Sequence, residues 1–368
     1  MLYKSSSGIV HVRPELDRIA EYVPGESLEA FSQRTGIPID SLVKLNSNES
    51  PYGPPPSVLS ALSDHRWYNN YPDTNSTALR DALSAYTGLD ERYIMVGHGS
   101  MELITLLWQI FLSVGDTIIC CPPTFSLYTT ITTLCGAYVL EVPRSDDYEI
   151  DVDAILDALT PETRMIILCS PNNPTGNPVA EADILALLES GRIVVVDEAY
   201  VEFSRNPKGF VHLVPRYRNL VVLRTFSKWA GLAGLRVGYG LVPEWIGGYI
   251  RRAQCPFEVN LAGHIAAIET LRHLDEVLAS VQKIVAERDH LYDALVCQPY
   301  LEVVPSEGNF ILARVREEEA LFKRVRQTVE AHGILLRYFN HPYLRNFLRV
   351  TVGLPEHTEK LARALAQV

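Results

Sequence analysis

Three stretches of the chain share one pattern: RMIILCSPNNPTG (164–176), RIVVVDEAY (192–200) and LVVLRTFSK (220–228). Each begins with a run of aliphatic, mostly β-branched residues and ends in polar residues. Continuous apolar runs of this length are typical of strands buried on both faces of a parallel sheet. Ligands of such sheets bind outside the carboxyl ends of the strands. We therefore expect the chemistry of the protein at the polar ends of these stretches.

The same alternation extends on both sides of these stretches, over residues 93–241. Further β-rich runs such as TIICC (117–121) and AYVLEV (137–142) are separated by segments with helical apolar spacing such as ELITLLWQIF (102–111). This order predicts an α/β fold whose large domain has a mostly parallel sheet sandwiched by helices.

After residue 260 the pattern changes to long helical stretches, followed by three β-rich runs and a final helix. This pattern predicts a smaller α+β domain. We expect the large domain to cover residues 45–260 and the small domain to combine residues 1–44 with residues 261–368.

Composition excludes several classes of function. The 368 residues are 47% hydrophobic and carry a formal net charge of −11, which disfavours nucleic acid and anionic membranes as partners. The six cysteines form no CxxC pair and the ten histidines form no short-spaced cluster, so we expect free thiols and no metal site. The first 22 residues lack the apolar segment of a secretory leader, and the longest apolar stretch contains Glu102 and Gln109. We expect a cytoplasmic protein without a membrane span.

Taken singly, the polar ends of the strands are ordinary turn and helix-cap chemistry. Their order on successive strands is more specific, and it resembles a known family. The motifs SPNNPTG (170–176), VVVDEAYVEF (194–203) and RTFSKWAGLAGLRVGY (224–239) are similar to those of the fold-type I, pyridoxal-phosphate-dependent aminotransferases. Four further stretches resemble the histidinol-phosphate aminotransferase subfamily: YVPG (22–25), VKLNSNESPYGP (43–54), YPDTNSTALRDAL (71–83) and LRVTVG (348–353).

The resemblance implies an enzyme of histidine biosynthesis. Its reaction would convert histidinol phosphate and 2-oxoglutarate to imidazole acetol phosphate and L-glutamate, with pyridoxal 5'-phosphate as cofactor and a homodimer as the assembly. Phenylalanine or tyrosine as the amino donor is the main alternative, because the related aromatic aminotransferases share nearly all the cofactor residues. Two further possibilities are a phosphothreonine decarboxylase and an inactive cofactor-binding chain.

The resemblance also implies the catalytic residues. Lys228 would form the Schiff base with the cofactor and then act as general base. Asp197 would pair with the pyridine nitrogen, a role that the family pattern does not give to Glu198. Tyr200 and Asn173 would donate hydrogen bonds to the phenolic oxygen of the cofactor.

The cofactor phosphate would be held at the start of a helix. The resemblance implies that the backbone of Gly99, Ser100 and Met101 binds this phosphate. It also implies contacts from the side chains of Arg236, Thr225 and Ser227. Met101 stands where the family often has Asp, so we expect no side-chain contact there. Phe125 would stack on the pyridine ring, where many relatives carry Tyr.

Substrate recognition needs positive charge for two different anions. Arg349 resembles the arginine that binds the α-carboxylate of glutamate or 2-oxoglutarate, and Arg337 resembles the one that meets the phosphate of histidinol phosphate. The alternative for Arg337 is an ion pair on the surface. Tyr22 and Asn173 are further candidates on the substrate side. Either Tyr52 or Tyr71 would complete the site of the neighbouring subunit, and the sequence leaves that choice open.

Overall fold

The computed structural model describes residues 3–5, 8–10, 12–19, 21, 25–316, 319–339 and 341–368. Its strands are β1 (Tyr3–Ser5), β2 (Gly8–Val10), β3 (Val43–Leu45), β4 (Ile94–Gly97), β5 (Thr117–Cys120), β6 (Tyr138–Glu141), β7 (Thr163–Cys169), β8 (Ile193–Asp197), β9 (Leu220–Thr225), β10 (Gly238–Leu241), β11 (Leu301–Val304), β12 (Phe310–Val315), β13 (Ile334–Tyr338) and β14 (Phe347–Thr351). Its α-helices are α1 (Leu28–Thr35), α2 (Pro56–Asp64), α3 (Thr77–Thr87), α4 (Ser100–Phe111), α5 (Leu127–Leu134), α6 (Val152–Asp157), α7 (Glu181–Leu188), α8 (Glu244–Ala253), α9 (Leu261–Arg272), α10 (Leu274–Val296), α11 (Glu319–Ala331) and α12 (Pro355–Leu365).

The large sheet has seven strands in the order β4-β10-β9-β8-β7-β5-β6. The strands β9, β8, β7, β5 and β6 run parallel, whereas β10 is antiparallel to both its neighbours. Every residue of β9 is buried, both its four aliphatic residues and Arg224 and Thr225 at its end. Helices α3, α4, α5 and α7 pack on this sheet. The predicted α/β class with a mostly parallel sheet is confirmed.

The small sheet has five strands in the order β11-β12-β14-β13-β3. Its strands pair antiparallel except for β3, which runs parallel to β13 at the edge. Helices α10 and α11 pack on it and α12 packs against both helices, which gives the smaller α+β unit that the sequence predicts. One buried apolar cluster extends from the large sheet into the small one, and the exact domain boundaries at residues 45 and 260 stay a prediction.

Strand register determines which polar residues meet. In the large sheet Cys169 pairs with Asp197, and Asp197 pairs with Leu223, so the segments that follow β7, β8 and β9 leave the sheet at one edge. In the small sheet Arg337 of β13 lies directly opposite Arg349 of β14. The loops of the large sheet and these two arginines of the small sheet line the same cavity.

Candidate active site

A cavity of about 740 Å³ lies between the carboxyl ends of the large-sheet strands and the small sheet. Most of the site residues predicted from the sequence line it: Ser100, Met101, Phe125, Asn173, Asp197, Tyr200, Thr225, Ser227, Lys228, Arg236, Arg337 and Arg349. Gly99 is the residue before the start of α4. Tyr22 lies outside the described residues.

Lys228 stands three residues after the end of β9 and is partly exposed to the cavity. Its Nζ donates a hydrogen bond to the backbone oxygen of Ser47 at 3.0 Å. Burial and the nearby positive charge of Arg349 lower the pKa of Lys228 to about 8. A lysine in this state supplies a neutral amine near neutral pH, as nucleophilic and proton-transfer chemistry require.

Asp197 is the last residue of β8 and is only 4% exposed. Its Oδ2 accepts a hydrogen bond from the Tyr128 hydroxyl at 2.7 Å, and its Oδ1 accepts one from the backbone N–H of Ala199 at 3.1 Å. Burial raises the pKa of Asp197 to about 6 against the opposing effect of these two hydrogen bonds. A buried carboxylate held by neutral donors is suited to pair with a cationic group of a ligand.

Tyr200 lies at the centre of an amide network. Its hydroxyl oxygen accepts hydrogen bonds from Nδ2 of Asn48 and from Nδ2 of Asn173, each at 3.2 Å. Because both acceptor positions of the oxygen are filled, its own hydrogen is left to donate. Burial raises the pKa of Tyr200, so the hydroxyl keeps this hydrogen at neutral pH.

Two arginines of the small sheet form the other wall. Nη1 of Arg349 donates to Oδ1 of Asn173 at 2.6 Å, and Nη2 donates to the backbone oxygen of Asn46 at 2.9 Å. Arg337 opposes Arg349 across the strand pair, and both line the cavity. Like charges directly opposite each other destabilise an antiparallel pair. An anionic ligand beside these guanidinium groups would offset that repulsion.

The start of α4 and Arg236 form a second positively charged region. Arg236 has a left-handed backbone (φ +56°), and its Nη1 donates to Oγ of Ser227 at 3.3 Å. Gly99 has φ +75°, and a Cβ there would lie 2.7 Å from Nη2 of Arg236. Only glycine therefore allows the guanidinium group to approach the helix N-terminus this closely. A guanidinium group beside the free N–H groups of a helix start is suited to bind phosphate.

Hydroxyl groups at the end of β9 and in the segment after it complete this region. Oγ1 of Thr225 donates to Oγ of Ser227 at 2.9 Å, and both residues are buried. Phe125 lines the cavity with its ring edge-on to Tyr128, at a centroid distance of 5.5 Å. Glu198 pairs instead with Arg224, with 2.7 Å between Oε2 and Nη2, and it does not line the cavity. Asp197, the carboxylate predicted for the site, lines the cavity, and its role toward a ligand stays a prediction.

Three cavity residues were missed by sequence reasoning. Tyr128 bonds to Asp197, Asn48 bonds to Tyr200, and the backbone of Ser47 accepts the bond from Lys228. Ser47 and Asn48 lie inside the motif VKLNSNESPYGP, so the motif marked the segment without marking the contacts.

The chain is similar to proteins of known name. It matches the family described as aminotransferase class I and II over residues 40–367. It is 41% identical over 365 residues to the histidinol-phosphate aminotransferase of Roseiflexus castenholzii, with 97% of this chain and 98% of that relative covered. It is 42% identical over 360 residues to the chloroplastic histidinol-phosphate aminotransferase 1 of Arabidopsis thaliana, with 97% of this chain and 85% of the relative covered.

The fold is also that of a solved enzyme. The crystal structure of histidinol-phosphate aminotransferase from Sinorhizobium meliloti in complex with pyridoxal-5'-phosphate superposes with a TM-score of 0.88, over 99% of this chain and 98% of that chain. The identity is 24%, so this likeness shows the fold alone. None of the helices in the described ranges combines the length and apolar character needed to cross a bilayer.

Proposed function

The chain belongs to the aminotransferase class I and II family, and from that premise we propose that it transfers the amino group of histidinol phosphate to 2-oxoglutarate. It is a pyridoxal-phosphate-dependent aminotransferase of histidine biosynthesis, and the products are imidazole acetol phosphate and L-glutamate. The observation that carries the substrate assignment is the opposed pair Arg337 and Arg349 at the cavity wall, which gives one guanidinium group to a carboxylate and a second to a phosphate.

The chemistry of the cavity fits pyridoxal 5'-phosphate. Its phosphate would be held by Arg236, by the Thr225 and Ser227 hydroxyls and by the start of α4. Asp197 would pair with the ring nitrogen, and the hydroxyl of Tyr200 would donate to the phenolic oxygen. When bound, the cofactor acts as an electron sink for the bonds at the substrate carbon.

Lys228 moves the proton in this proposal. With a pKa of about 8 in place of the usual value near 10.4, roughly a quarter of its amine is neutral at pH 7.5, against about a thousandth for an ordinary lysine. The hydrogen bond to the Ser47 backbone oxygen holds Nζ at the cavity. There the neutral amine can take the proton from the substrate carbon that carries the amino group and return it at the next stage of the transfer.

The substrate end of the cavity binds and orients two different molecules. Arg349 is oriented by its bonds to Asn173 and to the Asn46 backbone, and it binds the α-carboxylate of glutamate or 2-oxoglutarate. Arg337 binds the phosphate of histidinol phosphate, which has no α-carboxylate. Phenylalanine and tyrosine offer a carboxylate to Arg349 but no phosphate to Arg337, and this difference disfavours the aromatic alternative. The comparisons favour histidinol phosphate as well.

The test of this proposal is a substrate comparison. The purified enzyme is assayed with 2-oxoglutarate and either histidinol phosphate or phenylalanine as donor. We expect kcat/KM to be higher for histidinol phosphate, because only this donor brings a phosphate to Arg337. A higher kcat/KM for phenylalanine would contradict the assignment.

We also propose a homodimer, supported by an exposed aromatic surface made of Trp67, Tyr68, Tyr71 and Phe257. Tyr71 is 80% exposed and stacks on Phe257 at 4.5 Å, and Trp67 is 64% exposed. Clusters of exposed aromatic residues mark interfaces. Tyr52 is partly buried against the core, which favours Tyr71 as the tyrosine that reaches the neighbouring subunit. Sedimentation should show two chains for the unsubstituted protein and one for Tyr71→Glu.

A cytoplasmic location is part of the same proposal. All six cysteines are unpaired, and Cys120, Cys121 and Cys169 are buried as thiols. Unpaired cysteines are usual in a reducing compartment. Cell fractionation should recover the activity with cytoplasmic marker enzymes, and recovery with a secreted fraction would contradict it.

A further inference from the structure

Tyr128 is a buried residue of the cavity that takes no part in the proposed amino transfer. It lies in α5, is fully buried, and donates its hydroxyl hydrogen to Oδ2 of Asp197 at 2.7 Å. Its ring packs nearly perpendicular to the ring of Phe125, with the centroids 5.5 Å apart. One side chain thus contacts both the carboxylate and the aromatic ring that we expect on two sides of the cofactor.

The hydrogen bonds of Asp197 fix its orientation. Tyr128 bonds to Oδ2 and the backbone of Ala199 bonds to Oδ1, so rotation of the carboxylate would break both bonds. Each carboxylate oxygen keeps a further acceptor position for a ligand, and Asp197 lines the cavity.

We propose that Tyr128 is a positioning residue that keeps the carboxylate of Asp197 ionised and directed toward the ring nitrogen of the cofactor. The inference rests on the proposed function only in taking pyridoxal phosphate as the ligand, and it is independent of the amino donor. A hydrogen bond to a carboxylate favours its charged form, and only the charged form pairs with a protonated ring nitrogen. Removal of the hydroxyl therefore weakens cofactor binding most at acidic pH.

Other ionisable groups around Asp197 also affect its ionisation. The ionisable groups that act on it are Tyr128 from α5, Cys169 from β7, Glu198 and Tyr200 from the segment after β8, and Lys228 from the segment after β9. Glu198 opposes ionisation of Asp197 and Lys228 favours it. Tyr128→Phe leaves all of these in place, so any change in pH dependence reports on the lost hydroxyl.

The experiment measures the dissociation constant of pyridoxal phosphate from the full chain between pH 5 and pH 9. Tyr128→Phe keeps the ring contact with Phe125 and removes one hydrogen bond. The matched control is Tyr300→Phe, which removes a hydroxyl that donates to the Leu365 backbone oxygen at the same distance of 2.7 Å, outside the cavity. We expect about tenfold weaker cofactor binding for Tyr128→Phe at pH 6. The acid limb, which is the pH range in which binding weakens as the pH falls, should move up by about one pH unit in Tyr128→Phe. The acid limb should not move in Tyr300→Phe.

A second variant at position 128 keeps the inference testable if Tyr128→Phe folds poorly. Fluorotyrosine at position 128 is a stronger donor of nearly the same size, and it should move the acid limb to lower pH. In an Asp197→Asn background, Tyr128→Phe should cause no shift of the limb. An acid limb that stays in place in both position-128 variants overturns the inference, while the proposed function stands. Failure of the unsubstituted chain to bind the cofactor overturns both.

Discussion

Replacement of Arg337 by glutamine removes one of two guanidinium groups that face each other across β13 and β14. A charge-assisted hydrogen bond is worth about 1.5 to 3 kcal/mol, so loss of a two-bond fork to phosphate costs about 3 kcal/mol or more. Since 1.4 kcal/mol is a factor of ten, kcat/KM for histidinol phosphate should fall by about a hundredfold or more.

The assay compares histidinol phosphate with histidinol, which lacks the phosphate. The unsubstituted enzyme should prefer histidinol phosphate strongly, and Arg337→Gln should lose that preference while its low efficiency with histidinol stays the same. The matched control is Arg314→Gln on strand β12 of the same sheet, where the arginine is exposed and pairs with Glu302. This control should leave both substrates unaffected.

Stability separates this role from that of a surface ion pair. Like charges directly opposite each other destabilise an antiparallel strand pair, so Arg337→Gln should not lower the melting temperature. An equal loss of kcat/KM for both substrates, together with a lower melting temperature, would refute a phosphate-binding role for Arg337.

Two further predictions follow from the pKa shifts of buried groups. The rate at which Lys228 captures the cofactor aldehyde needs the neutral amine, so in stopped-flow absorbance it should rise about tenfold per pH unit up to a pKa of about 8 and then level off. A rate that still climbs at pH 10, or capture of equal strength by Lys228→Ala, would contradict this. Burial raises the pKa of Glu202 to about 8, and its carboxylate has no hydrogen-bond partner among the described residues. The unsubstituted protein should therefore lose stability relative to Glu202→Gln as the pH rises from about 5 to about 8, by roughly 3 kcal/mol or more in urea unfolding, and equal differences at both pH values would rule this out.

The sequence predicts the large sheet because burial leaves a simple signal. The strands β7, β8 and β9 are buried nearly throughout, so each contains a run of apolar residues, and polar residues begin at or just before the carboxyl end of β8 and β9. The positions of Asp197 and Lys228 at one sheet edge follow from that pattern. The strand β3 has only three residues and lies at a sheet edge, so its pattern was too short to predict it.

The contacts within the site could not be predicted in the same way. Tyr128 lies 69 residues before Asp197, and Asn48 lies 152 residues before Tyr200. No periodicity connects positions that far apart, because these hydrogen bonds depend on how α5 and the segment after β3 pack against the sheet. The opposition of Arg337 and Arg349 was similarly hidden, since it requires the antiparallel register of β13 and β14.

The reaction proposed for this enzyme is best tested by a half-reaction followed by visible absorbance. The enzyme loaded with pyridoxal phosphate is mixed with histidinol phosphate in the absence of any keto acid. We predict that the visible band of the bound cofactor disappears and returns when 2-oxoglutarate is added. A band that persists with histidinol phosphate but disappears with phenylalanine would contradict the substrate assignment.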